Sequence, residues 1–193
     1  MPAPGPWKAG SSRLLQEGHR RNVVSDAKAT TNPIKAKISG TLLEAKEKGR
    51  RIEAGMQVEL PHTFERDDVA LFARLSGDDN PLHLDEDFAR EQGVFAGAIV
   101  HGVLVGSLFS TIFGVTFPGC VYLQQSFKFS RPVYVGKAVT AVVEVTRRRE
   151  REEASPPSSL LFCSTHIIDQ EGFVAIGGEA VVMVMHKEGE QGG

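Results

Sequence analysis

Residues 94 to 117, "VFAGAIVHGVLVGSLFSTIFGVTF", carry no formal charge over a length that is enough to cross a bilayer. Polar His101, Ser107, Ser110 and Thr111 lie within the stretch, no cationic cluster flanks it, and strand-like sequence follows at once. Those features argue against a membrane span and for a helix, beginning near Ala98, that is buried in a folded domain. A helix that is apolar all round must be covered on all sides. Whatever else this chain does, it has to supply that cover.

The cover comes from strands. After Pro118-Gly119 the apolar period changes from 3.6 to 2: in "CVYLQQSFKFS", Val121, Leu123, Phe127 and Phe129 share one face of an expected half-buried strand. "RPVYVG" interrupts it, and "KAVTAVVEVTR" resumes with Val139, Ala141, Val143 and Val145 alternating. The run "RRREREEASPPSS" reads as a solvated hairpin loop, and "LLFCSTHIID" and "FVAIGGEAVVMVM" as two more strands. Upstream, "TLLEAKEKGRRIEAG" is a short lead-in helix or a linker, and "MQVELPHTF" is a strand. "ERDDVALFARLSG" is a helix with Val69, Phe72, Ala73 and Leu75 near helical spacing, ending at Gly77. One early strand, several helices and then hairpin-linked strands make an α+β chain with an antiparallel sheet. A sheet that curls round one long apolar central helix is a hot-dog fold, and an adjoining subunit can complete the cover.

At 193 residues one domain fits comfortably and two would be cramped. A formal net charge of −2 argues against a general nucleic-acid partner and favours small molecules. Cys120 and Cys163 have neither the number nor the spacing of a disulfide framework and read as reduced core residues. The charge is uneven, with a net +5 in residues 1 to 38 and −7 in the rest. That front is basic, contains Ser and Thr and lacks an apolar h-region, which suits a mitochondrial transit peptide better than a secretory signal. A disordered cytoplasmic tail is the alternative. The expected organisation is a leader over 1–50 that includes any short helix, one domain over 51–187, and a frayed end at 188–193, where "EGEQGG" carries no peroxisomal address.

The chemistry concentrates in "LSGDDNPLHLDEDFA", residues 75 to 89. Read as an EF-hand, Asp78 and Asn80 fit the first and third positions, but Leu82 and His83 fall where a ligand and a glycine are needed. His83 and Asp85 alone are too few for zinc. No metal or cofactor is therefore expected. Gly, Asp, Asn and Pro are ordinary turn residues, and Asp85 to Asp87 suit the start of the next helix. A carboxylate, an amide and an imidazole within six residues, set between apolar helices, are better explained as a partly buried site for proton transfer.

At this point a resemblance becomes specific. "FARLSGDDNPLHLDEDFA" resembles the signature of the MaoC-like, or hydratase 2, family of hot-dog enzymes, "GAIVHGVLVGSL" resembles the start of that family's central helix, and "RPVYVG" its inter-strand element. The likeness covers about residues 52 to 186 and is closest to the single-unit type 2 members that act as 3-hydroxyacyl-thioester dehydratases in mitochondrial fatty-acid synthesis. It implies reversible hydration of trans-2-enoyl thioesters to (R)-3-hydroxyacyl thioesters. It also implies Asp78 and His83 as the catalytic dyad, Asn80 positioning the water, and the Gly102 backbone N–H as the oxyanion donor. Gly102 in the first turn of the apolar helix would have an N–H without an intrahelical partner and no Cβ to obstruct an acyl group. His101 is read as filling the core or bonding backbone.

An acyl-carrier-protein or a coenzyme A thioester is the expected substrate, the carrier being left open, with a homodimer as the assembly. Lys128, Arg131 and Lys137 are candidates for a basic entrance or plain surface charge, and pocket depth would depend on Val103, Leu108 and Phe109. A non-catalytic acyl-thioester-binding module and a hot-dog thioesterase are the competing functions.

Overall fold

The apolar stretch forms a fifteen-residue helix, α5 (Gly102–Thr116), in a computed structural model that describes Ile34 and residues 37–186. Of the leader expected over 1–50, residues 1–33, 35 and 36 lie outside the described residues, as does the frayed end expected over 188–193. No helix among the described residues is long and apolar enough to cross a membrane. Val105, Leu108, Phe109, Ile112 and Phe113 of α5 are all buried.

Ahead of α5 come α1 (Thr41–Glu47), β1 (Gln57–Thr63), α2 (Arg66–Ser76), α3 (Pro81–Leu84) and α4 (Glu86–Glu91); after it come β2 (Val121–Gln125), β3 (Lys128–Phe129), β4 (Ala138–Arg151), β5 (Ser158–Asp169) and β6 (Val174–Met185). The strands make one antiparallel sheet in the order β1-β4-β5-β6-β2, with β3 also paired to β6. Helix α5 packs against β1, β4, β5 and β6. This is the expected α+β hot-dog arrangement. The alternation expected in β4 holds: Val139, Ala141, Val143 and Val145 are all buried and join the α5 side chains in one core. From α1, Leu42 and Ala45 enter the same core.

Three local expectations change. Residues 98–101 are extended rather than helical, because they pair with the "RPVYVG" segment: Val100 N–H donates to Val133 O at 2.7 Å and Val135 N–H to Ala98 O at 3.1 Å. These backbone bonds, with two β-branched residues in the segment, override its apolar helical pattern. The charged run after Val145 is mostly strand, since β4 continues to Arg151 and pairs with β5 as far as Ser158. Its charges are matched locally: Arg148 pairs with Glu150 at 2.6 Å, and the Arg147 guanidinium lies 3.6 Å from the centre of the Phe162 ring. Finally, the apolar face of "CVYLQQSFKFS" is only partly covered in the single chain. The run divides into β2 and β3, its pairing with β6 is irregular between Tyr122 and Gln124, and Leu123 and Phe129 remain 50% and 55% exposed.

Cys120 and Cys163 are both free. Burial pushes the Cys163 thiol up to about 12 and also raises that of Cys120, so neither is a ready thiolate nucleophile near neutral pH.

Ile112 is fully buried at the centre of α5. Ile112→Ala is expected to destabilise the fold by about 2 to 5 kcal/mol through lost burial and the cavity left behind. Urea denaturation followed by circular dichroism measures the change.

Candidate active site

The motif loop is built by three successive helix ends. Gly77 closes α2 in the left-handed region at φ 80°, where a Cβ would be strained, and its N–H donates to Ala73 O. The chain then turns through Asp78 to Asn80, whose Oδ1 accepts from Leu82 N–H at 3.1 Å and so caps α3. Pro81 takes the first helical position, where its missing N–H costs nothing. Asp85 ends α3 and caps α4, accepting from Asp87 N–H at 2.9 Å and Phe88 N–H at 3.0 Å. The acidic run thus divides, with Asp85 serving the helix and Asp78 left facing the histidines.

Two backbone carbonyls hold the imidazoles. His83 Nδ1 lies 2.7 Å from Ile99 O, and a carbonyl only accepts, so Nδ1 carries the hydrogen. The neutral His83 ring therefore presents Nε2 as a bare lone pair, 3.9 Å from Asp78 Oδ2. By the same logic His101 Nε2 donates to Asp78 O at 2.9 Å. The two rings stack with centroids 3.7 Å apart and planes at 29°, and Phe72 lies 4.9 Å from His101. The loop is partly buried, as expected: the His83 side chain is 12% exposed and that of Asp78 54%. His101, buried and bonded to backbone, matches its expected structural role.

Asp78, His83 and His101 each bring one possible ligand atom into a group lying within 4.8 Å. As arranged, the His101 Nε2 hydrogen is committed to the Asp78 carbonyl, which leaves two donors facing each other. That set is too small for a closed metal site.

A cavity of about 420 Å³ opens beside His83 and is also lined by Gly102, Val103, Phe129, Arg131 and Ile176. Gly102 is the first residue of α5, where backbone N–H groups lack intrahelical partners and the helix dipole favours negative charge. The cavity thus joins His83 and Gly102, and Asp78 reaches it across the gap to Nε2. Of the residues expected to set its depth, Val103 lines it, whereas Leu108 and Phe109 are buried in the core. Arg131 stands at the wall but is engaged by Asp169 at 3.1 Å and Glu171 at 3.0 Å, as ordinary surface charge would be.

Phe129 was not foreseen as a site residue. A Cβ on Gly102 would come within 2.5 Å of its ring, and one on Gly106 within 2.6 Å of Phe127. Four residues of helix rise about 6 Å, close to the ~6.6 Å of two residues of strand. The two glycines therefore accept the two phenylalanines in register. Glycines four apart in the helix, facing aromatics two apart in the segment that leads into β3, were the available signal.

A family model described as MaoC like domain matches residues 47–156. The (R)-specific enoyl-CoA hydratase of Aeromonas caviae is 47% identical over 133 residues, covering 68% of this chain and 94% of that protein. The mitochondrial 3-hydroxyacyl-(acyl-carrier-protein) dehydratase FERN of Solanum lycopersicum is 35% identical over 133 residues, covering 69% of this chain and 78% of that one. Among solved structures, the (R)-hydratase of A. caviae involved in PHA biosynthesis superimposes with a TM-score of 0.61 and 44% identity, over 69% of this chain and 97% of that one.

If Asp85 serves as a helix cap, Asp85→Ala should lower stability by about 0.5 to 2 kcal/mol. Denaturant titration measures the loss, and an unchanged midpoint would contradict the division of the acidic cluster.

Proposed function

The chain belongs to the MaoC-like dehydratase family, and from that premise we propose that it interconverts (R)-3-hydroxyacyl thioesters and trans-2-enoyl thioesters by loss and addition of water. The observation that carries the reading is the His83 lone pair, fixed by the Ile99 carbonyl and facing Asp78 Oδ2 beside a cavity that also holds the Gly102 amide.

In the hydration direction water attacks C3 of the enoyl group, C2 gains a proton, and negative charge gathers on the thioester oxygen in between. The 3.9 Å separation of Nε2 and Oδ2 is too long for a hydrogen bond but suits one water touching both. His83 Nε2 takes a proton from the water as its oxygen bonds to C3 and the C2=C3 π electrons pass into the thioester enolate; the imidazolium then returns that proton to C2 while Asp78 holds the water and faces the charged ring, so the pair ends as it began. Dehydration retraces the same steps. Asn80, whose Oδ1 is used in capping, has its NH₂ group to offer the water. The Gly102 N–H takes the thioester oxygen, and a preorganised donor of that kind typically lowers the barrier by about 2.7 to 4 kcal/mol. Metal and cofactor have no part in the proposed steps.

The substrate is an acyl-CoA or acyl-carrier-protein thioester. Residues 51–187 form the catalytic unit, against which α1 packs. A mitochondrial location, with operation as a dehydratase in fatty-acid synthesis, is supported by the basic leader and by the mitochondrial relative from tomato. The assembly is a homodimer in which a second copy covers the β2 edge. The open edge at the end of the sheet and the exposed Val121, Leu123 and Phe129 support it.

A spectrophotometric assay of the purified chain against short and long trans-2-enoyl-CoA, with the product's configuration determined, tests the function. Asp78→Asn and His83→Ala should each lower kcat by at least about 100-fold, within the usual contribution of acid–base catalysis, while leaving the circular dichroism spectrum unchanged. Full activity in Asp78→Asn would sink the mechanism, and thiol release without hydration would identify a thioesterase instead. Leu123→Glu should convert the dimer to a monomer in sedimentation velocity, whereas an unaltered dimer would place the interface elsewhere.

A further inference from the structure

His101 lies outside the cavity lining, yet it touches every part of the proposed machinery. Its side chain is 3% exposed, its Nε2–H donates to the Asp78 backbone carbonyl at 2.9 Å, and its ring is stacked 3.7 Å from that of His83. It is also the N-cap residue of α5, so its own backbone leads directly into the Gly102 N–H. His101 Nδ1 is buried without a hydrogen-bond partner among the described residues. Leaving a buried polar atom unsatisfied is costly, and a leucine or phenylalanine used only as filling would avoid that cost. The ring is turned so that Nε2 reaches the loop and Nδ1 goes without.

We propose that His101 is a positioning residue that fixes the Asp78–His83 pair relative to the Gly102 N–H. The side-chain hydrogen bond holds the Asp78 loop, the ring face sets the plane of His83, and the peptide link carries both to the start of α5. Without it, the half-exposed Asp78 is steadied chiefly by local turns: its N–H to Ser76 Oγ at 3.2 Å and its Oδ1 from Asn80 N–H at 3.4 Å. Both partners are on the same loop and move with it. The Nε2–H bond of His101 spans 23 residues and ties that loop to the core helix. Since the reaction needs a water, the Asp78–His83 pair and an oxyanion donor in one geometry, loosening this tie should slow the chemical step more than it weakens binding.

The inference rests on the hydratase reading above and is tested on the full chain with a trans-2-enoyl-CoA substrate. His101→Phe keeps a ring against His83 but removes the donor, while His101→Gln keeps a donor that reaches the same carbonyl without the ring. In His101→Phe, kcat is expected to fall on the order of 10- to 100-fold, the effect of a small misplacement of reacting groups. KM should stay within about threefold, because ground-state binding is not what is lost. His101→Gln should recover most of the lost kcat. Wild-type kcat in His101→Phe, a loss appearing in KM instead, or a glutamine variant no better than phenylalanine would each overturn the role. Should His101→Phe fail to fold, His101→Asn replaces it: its amide is too short for the carbonyl, so equal kcat in the Asn and Gln variants overturns the role as well. A wild-type chain inactive on every enoyl thioester overturns the function and this role together, whereas an active wild type with indifferent variants overturns this role alone.

Discussion

Helix α5 gives water only a narrow face that includes Ser107, Ser110 and Gly114, and most of the structure follows from covering the rest. The curved sheet supplies β1, β4, β5 and β6 as one wall, with their inward-facing valines and alanines meeting Phe109, Ile112 and Phe113. The glycines on α5 then decide how closely the β2–β3 segment approaches. Because Gly102 and Gly106 lack side chains, Phe129 and Phe127 seat directly on the helix. The same absence of a Cβ leaves the first-turn amide of Gly102 open to the cavity. One packing requirement thus produces both the core and the electropositive end of a helix beside an apolar cavity.

The second constraint is local and made of carbonyls. A histidine ring is a useful base only if it is known which nitrogen carries the hydrogen, and here that is settled by backbone acceptors, Ile99 O for His83 and Asp78 O for His101. Ile99 offers its carbonyl because residues 98–101 are extended and paired with 133–135 instead of continuing the helix. The departure from the expected helix start is therefore part of the site. Had α5 begun at Ala98, the Ile99 carbonyl would have been directed along the helix axis toward residue 103.

Most of the fold was legible because it is written in periodicity. Val139, Ala141, Val143 and Val145 declare a strand by alternation, and the uncharged run at 94–117 declares a buried helix. The candidate site was legible as a tightly spaced loop, from Gly77 through Asp78, Asn80 and Pro81 to His83, since turn and cap chemistry act over a few residues. What escaped depends on distant pairing. The continuation of β4 through four arginines is stabilised by partners on β5 that local charge does not reveal, and the stacking of His101 on His83 joins residues 18 positions apart. The exposure of Leu123 and Phe129 shows the limit of a single chain: alternation marks an apolar face without saying whether a helix of the same molecule or a second copy covers it.

The distribution of satisfied and unsatisfied groups separates scaffold from chemistry. Asn80 Oδ1, Asp85 Oδ1, His83 Nδ1 and His101 Nε2 are all engaged in bonds that fix the loop. His83 and the first-turn Gly102 line the cavity, and among the described residues His83 Nε2 and Asp78 Oδ2, 3.9 Å apart, make no hydrogen bond. Folding alone favours pairing such groups, because each unmet bond near a buried surface forfeits free energy. In the proposed reaction, the proton-shuttling pair and the oxyanion donor cannot work if they are paired with one another. The 3.9 Å between Nε2 and Oδ2 is the compromise: too wide for the two to neutralise each other by a direct bond, and narrow enough for one water to be held by both.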